Sequence, residues 1–180
     1  MSALAKTFAE EIAPGVITSC LNTGVFPSLV IAQAIQESGS GQSKQAKLFT
    51  NFFGHMASKE WKDMGKAGQT VKGGRFWRIY NSVEDCITGH INILKKPLYR
   101  LKGVFKARTP FEQALAIQKA GYNTGPDRNE YALKLSKIIK GLDLQKYDRE
   151  MISLERRKNT NGLAYSEQPA VTLTLQNIFG

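Results

Sequence analysis

Residues 33–41 read Gln-Ala-Ile-Gln-Glu-Ser-Gly-Ser-Gly and follow an apolar run, Leu29-Val30-Ile31-Ala32, of helical character. The pattern puts the carboxyl of Glu37 at the end of a helix, immediately before a glycine-rich exit. Cleavage of a glycosidic bond needs an acid in such a place: rigidly held, partly desolvated, and open to a cleft from which it protonates the leaving oxygen. Two features are expected to keep this carboxyl protonated near neutral pH. Apolar neighbours penalise its charged form, and the backbone carbonyls at a helix C-terminus disfavour a negative charge. Phe53, Trp61 and Trp77 offer flat faces that match the C–H faces of pyranose rings. His55 and His90 are isolated, without the partner histidines and carboxylates of a metal site, and are expected to be structural or surface residues.

Elements must hold these side chains in place. Leu4, Phe8 and Ile12, then Val16, Ile17, Cys20 and Leu21, fit a helix broken at Pro14-Gly15. Pro27 and Ser28 open the helix that carries Glu37, and Gly39 and Gly41 supply the permissive backbone that ends it. A short helical or irregular stretch leads through Lys47-Leu48-Phe49 to Asn51-Phe52-Phe53-Gly54. Gln69-Thr70-Val71 and Arg75 to Tyr80 flank Lys72-Gly73-Gly74 and read as a β-hairpin. Phe76 and Trp77 alternate on its second strand, so one faces the core and the other solvent or a groove. Ser82, with Asp85 three residues on, starts a helix with Ile87, Ile91 and Leu94 on one face. Thr109-Pro110 begins another that ends at Gly121, and a last strong helix runs from Asn129 to Lys140. Beyond Tyr147 the pattern fades, through Glu155-Arg156-Arg157-Lys158, into a β-prone run at 171–175. The expected fold is mainly α (α+β): a helical lobe and one small hairpin that form a cleft at their junction. Residues 1–147 form the expected domain, and 148–180 a tail without an assigned role.

At 180 residues the chain can bury a core without disulfide staples. Its two cysteines, Cys20 and Cys86, are ordinary thiols within helices, or a single bridge in an oxidising compartment. The net charge of +10, from 25 Lys+Arg against 15 Asp+Glu, favours an anionic polymer as partner: nucleic acid, an acidic membrane surface or an anionic cell wall. Lys and Arg are dispersed, and the Arg156-Arg157-Lys158 run is short, which argues against nucleic acid. No stretch has the length of a membrane span. The segment Met1 to Gly15, with Lys6, Glu10 and Glu11, makes a poor signal peptide.

The ordered blocks Gln33…Glu37-Ser38-Gly39-x-Gly41, Asn51-x-Phe53-Gly54, Phe76-x-x-Tyr80-Asn81-Ser82 and Ala120-Gly121-Tyr122-x-Thr124 resemble glycoside hydrolase family 73, the endo-β-N-acetylglucosaminidases of bacterial autolysins and flagellar peptidoglycan hydrolases. The resemblance covers residues 8 to 141. It implies a lysozyme-like helical lobe faced by a hairpin across a glycan groove, and cleavage after N-acetylglucosamine in peptidoglycan strands. It makes Glu37 the acid and places Tyr122 beside the reacting sugar, where its hydroxyl orients the acetamido group or stabilises developing positive charge. Asn51 hydrogen-bonds the sugar or fixes the loop after Glu37. Phe53, Trp61 and Trp77 are the expected substrate contacts, Phe53 being equally a candidate for the core. No cofactor is implied, a monomer is expected, and the substrate places the protein outside the cell, in the wall or periplasm.

One block departs from the family. Its members commonly carry an acidic residue after a threonine in the first hairpin strand, where this chain has Thr70-Val71-Lys72. Glu60 and Asp63 precede the hairpin. Glu84 and Asp85 follow it and suit capping better than catalysis. Asp63 is the best remaining candidate for a second acid, and Asp127 is not assigned a catalytic role. The departure leaves open attack by the substrate's own acetamido oxygen or by a held water. It also keeps a non-catalytic wall-binding domain in contention, beside a muramidase or lytic transglycosylase.

Overall fold

The computed structural model describes residues 2–126 and 128–166; Asp127 and the run at 171–175 lie outside them. The order of elements is α1 (Ala3–Cys20), α2 (Pro27–Ser38), α3 (Lys44–Phe49), α4 (Lys59–Asp63), β1 (Ala67–Gln69), β2 (Phe76–Arg78), α5 (Val83–Leu94), α6 (Pro97–Leu101), α7 (Pro110–Lys119), α8 (Tyr131–Gly141) and α9 (Gln145–Ser166). Single 3-10 turns at Val104–Lys106 and Arg128–Glu130 precede α7 and α8. The expected class, mostly helical with one small antiparallel pair, is what the chain adopts.

Helix α2 is the axis of the core. Leu29, Val30, Ile31, Ala32 and Ala34 are wholly buried, so its first turns are enclosed on every side, as in a helix surrounded by others. It packs against α1, α7, α8 and α9. Its N-terminal residue Phe26 offers no side-chain cap; Asp148 of α9 accepts hydrogen bonds from the Ser28 N–H (2.8 Å) and Ser28 Oγ (2.6 Å) instead. Local caps start other helices: Ser82 Oγ accepts from the Asp85 N–H (3.1 Å), and Thr109 Oγ1 from the Glu112 N–H (3.1 Å).

Three expectations change. Helix α1 runs through Pro14-Gly15 without a break. Proline removes one i→i−4 bond, but Ile12, Ala13, Val16, Ile17 and Cys20 are all buried against neighbouring helices, and that burial outweighs the loss. The hairpin register pairs Ala67 with Arg78, Gly68 with Trp77 and Gln69 with Phe76, so β1 ends earlier than the β-prone residues suggest. Thr70 and Val71 belong to the turn, closed by the Gly74 N–H on the Val71 carbonyl (3.0 Å) with Gly73 at φ +74°. Gly68 is needed where it sits, because a Cβ there would lie 2.5 Å from the Phe49 ring. Finally, the chain past Tyr147 is helical: α9 crosses residues 147 and 148 and buries Asp148 and Met151. Among the described residues no helix is long and apolar enough to cross a membrane.

Candidate active site

Glu37 is the penultimate residue of α2, and its surroundings explain the Glu-Ser-Gly-Ser-Gly sequence. Ser38 Oγ donates to the Ala34 carbonyl (2.6 Å) and accepts from the Gly41 N–H (2.6 Å), which locks the exit. Gly39 takes the left-handed conformation at φ +58° and returns its N–H to the Ile35 carbonyl. Gly41 sits at φ +78°, and a Cβ on it would approach the Phe8 ring to 2.9 Å. The chain therefore leaves α2 sharply and Glu37 is left at the rim of a cleft. Its side chain is exposed, contrary to the expected apolar enclosure, because the cleft is open on the side that substrate would occupy. The helix terminus disfavours its charge, while the Tyr131 hydroxyl, donating to Glu37 Oε1 at 3.0 Å, favours it.

The cleft holds about 610 Å³. Glu37 lines it from the end of α2, Arg75, Trp77 and Arg78 from the hairpin, and Tyr122, Asn123 and Thr124 from the segment after α7. Trp77 faces the cleft, whereas Phe76 faces solvent beneath the Lys62 ammonium, 4.3 Å from its ring centroid. The 55–57 segment adds to the free edge of β2 through a Met56–Trp77 bridge, with the Ala57 N–H on the Phe76 carbonyl (2.9 Å), and so stiffens Trp77.

Tyr122 follows Gly121, which ends the α7 segment at φ +75°. Its ring lies edge-on to His90 (5.7 Å, 88°) and 5.8 Å from the Tyr131 ring. Its hydroxyl is buried and has no hydrogen-bond partner among the described residues. Burial first, then the charge of Glu37, pushes that hydroxyl well above the ordinary phenol range, so it stays protonated. An unsatisfied buried hydroxyl costs about 1–3 kcal/mol, and this one borders the space beside Glu37.

The other expected substrate contacts separate. Asn51 is buried; its Nδ2 donates to the carbonyls of His55 (2.9 Å) and Arg78 (3.0 Å), and its Oδ1 accepts from the His55 N–H (2.9 Å). These bonds tie the loop after α3 to β2. Phe53 is buried at the cleft wall and stacked face to face on His90, with centroids 3.8 Å apart. Trp61 lies outside the cleft. It meets Tyr80 edge-on (5.3 Å) and lines a separate pocket with Tyr80, Asn81 and Asp85, while the Arg78 guanidinium covers its ring at 4.8 Å.

Among the described residues that line the cleft, Glu37 is the one carboxylate. Asp63 is paired with Lys59 on the surface (2.6 Å), Glu60 accepts from Ser58 Oγ (3.2 Å), and Glu84 and Asp85 occupy the first turn of α5. Val71 is at the hairpin tip, 56 % exposed. No group of three or more His, Cys, Asp or Glu that could hold a metal occurs among the described residues.

His55 also lines the cleft, Tyr131 bonds Glu37, and Gln33 and His90 stand behind them. Gln33 is one turn before Glu37, a spacing that puts both on one helix face. Tyr131 lies 94 positions from Glu37, and no local signal joins them.

A family model, the glucosaminidase described as mannosyl-glycoprotein endo-beta-N-acetylglucosaminidase, matches residues 13–144. The exo-glucosaminidase LytG of Bacillus subtilis is 32% identical over 142 residues, covering 73% of this chain and 49% of LytG. The peptidoglycan hydrolase FlgJ of Salmonella typhimurium is 29% identical over 155 residues, covering 79% of this chain and 48% of FlgJ. The solved glycoside hydrolase domain of that FlgJ superposes with a TM-score of 0.64 at 28% identity, covering 90% of this chain and 99% of the domain. The chain thus spans about half the length of the curated relatives it matches. With the matched region running from the middle of α1 to the end of α8 and enclosing every wall of the cleft, the chain belongs to the glucosaminidase family, glycoside hydrolase family 73.

Proposed function

We propose that this chain is a peptidoglycan hydrolase that cleaves the β-1,4 bond after N-acetylglucosamine, with Glu37 as general acid. The observation that carries this reading is the position of Glu37: the one described carboxylate of a cleft whose facing wall presents Trp77. Trp77 stacks on a pyranose face, and substrate filling the open cleft removes water from Glu37 and raises its proton affinity.

With no second described carboxylate in the cleft, the acetamido group of the bound N-acetylglucosamine is the nucleophile. Glu37 gives its proton to the glycosidic oxygen as the C1–O bond breaks. The acetamido carbonyl oxygen closes on C1 and forms an oxazolinium ring. Water then attacks C1, its proton passes to the Glu37 carboxylate, and the acetamide reopens with configuration retained. The Tyr122 hydroxyl accepts a hydrogen bond from the acetamido N–H as positive charge grows there, which gives its buried oxygen a partner. The +10 charge holds the protein on an anionic envelope, where the substrate lies outside the cytoplasm.

Digestion of purified peptidoglycan, borohydride reduction and mass spectrometry test the reading beside a Glu37→Gln control. Fragments ending in reduced N-acetylglucosamine, absent with the control, support it. Ends of reduced or 1,6-anhydro N-acetylmuramic acid would move the chain to muramidases or lytic transglycosylases. Absence of cleavage across pH and wall preparations would leave a binding domain. The anomer first released, read by proton NMR, tests the acetamido step: β supports it and α rejects it.

A further inference from the structure

Behind Glu37 a line of buried polar side chains crosses the core, and the proposed reaction makes no direct use of it. Tyr131 Oη donates to Glu37 Oε1 (3.0 Å), and Gln33 Nε2 donates to Tyr131 Oη (3.0 Å). Gln33 Oε1 meets His90 Nε2 (3.0 Å), His90 Nδ1 meets His55 Nε2 (3.3 Å), and His55 Nδ1 meets Tyr80 Oη (2.7 Å). All five residues behind Glu37 are buried, and they come from α8, α2, α5, the loop after α3 and the end of the hairpin.

Donor counting gives the line a direction. A Gln33 carbonyl oxygen only accepts, so His90 carries its proton on Nε2. Burial holds both imidazoles neutral, with His90 pushed down to about 3 and His55 also well below its ordinary value. A neutral ring has one N–H, so His90 Nδ1 accepts from His55 Nε2–H, and His55 Nδ1 accepts from the Tyr80 hydroxyl. Every donor points toward Glu37. Turning the Gln33 amide over would require both tautomers to change and would draw the Tyr131 proton away from Glu37. The line cannot carry a proton through, because a carboxamide does not pass one on without tautomerising. It orients.

We propose that Tyr80, His55, His90 and Gln33 are positioning residues that set the direction of the Tyr131 hydroxyl, so that it engages Glu37 Oε1 and the acid proton resides on Oε2. This rests on the reading of Glu37 as the acid. The rings are themselves held: Phe53 stacks on His90 (3.8 Å, 6°), and Asn51 grips the backbone of His55 on both its N–H and its carbonyl. Asn51, Phe53 and His55 of this loop therefore support the acid from behind, while Phe53 and His55 also line the cleft.

The test begins without substrate. Long-range proton–nitrogen correlation on protein labelled with 15N-histidine should show both rings neutral and protonated on Nε2. A proton on Nδ1 of either ring would overturn the proposal, whatever the enzyme does. Tyr80→Phe, which deletes only the far hydroxyl, should move the His55 nitrogen shifts and lower kcat several-fold with KM unchanged. Tyr131→Phe should lower kcat about tenfold and move the high-pH limb of the rate profile upward, because Glu37 loses a donor that favours its ionised form. Unchanged kcat in both variants, with folding intact by circular dichroism, would reject the positioning role. Wild-type protein that never cleaves peptidoglycan would reject the functional reading instead, and the tautomer result would still decide the direction of the line.

Discussion

Replacement of Asp148 by alanine should weaken the helix that carries the candidate acid, although the two residues sit at its opposite ends. Asp148 is 5 % exposed, and its carboxyl accepts two bonds from Ser28, on the N–H at 2.8 Å and the hydroxyl at 2.6 Å. Hydrogen bonds to a charged group contribute roughly 1.5–3 kcal/mol each, and the alanine variant leaves two buried donors without a partner. Relief of the carboxylate's desolvation offsets part of that, so the net loss is about 2–3 kcal/mol. For a chain of this size that is roughly a 5–10 °C fall in Tm. Burial also pushes the Asp148 carboxyl above its ordinary value of 3.8, against the bonds from Ser28, which lower it. The native state then holds a proton in the window just above 3.8 that the unfolded state releases, and stability falls as pH rises through that window. Asparagine keeps one oxygen acceptor, for the Ser28 N–H, and turns an amide N–H toward Ser28 Oγ, which then accepts instead of donating, so Asp148→Asn should lose less than the alanine variant, about 1 kcal/mol, and show no such pH dependence. Thermal denaturation of the three proteins from pH 4 to pH 8, followed by circular dichroism, makes the comparison. An alanine variant within 1 °C of wild type, or an asparagine variant weaker than alanine, would refute the trans-capping account.

Trp77→Ala should raise KM for glycan strands several-fold, and Trp61→Ala should leave KM unchanged because Arg78 covers its ring outside the cleft; steady-state kinetics on soluble peptidoglycan fragments separates them. The neutral buried histidines have the opposite pH consequence to Asp148. His90 takes up its proton only near about 3 in the folded state but near 6.5 when exposed, so stability should be lost as pH falls from 6.5 toward 3. A His90 ring resonance that titrated near 6.5 in folded protein would contradict this. Burial pushes the Cys86 thiol up to about 12 and the Cys20 thiol higher, so neither should react with an aromatic disulfide reagent at pH 8 until denaturant is added.

What the sequence alone determined was local. The end of α2 at Glu37, the caps at Ser82 and Thr109, the glycine exits and the presence of a hairpin are written within a few residues of where they act. Short-range sterics and hydrogen bonding specify such features. The ordered blocks then named the family. The tertiary structure decided whatever depends on partners far along the chain. Helix α1 continues through Pro14 because its neighbours bury the turns on both sides. The hairpin register follows from the fit of Gly68 against Phe49, not from the β-propensity of Thr70 and Val71. Trp77 and Trp61 are equal as residue types, and only the fold puts one in the cleft and the other behind it. The same holds for Asp148, a charged residue where the apolar pattern fades, which is anchored by a donor 120 positions away. His55 and His90 were isolated in the sequence because 35 positions separate them; in the core their rings stand 5.4 Å apart, and burial makes them a neutral pair of hydrogen-bonding groups behind Glu37.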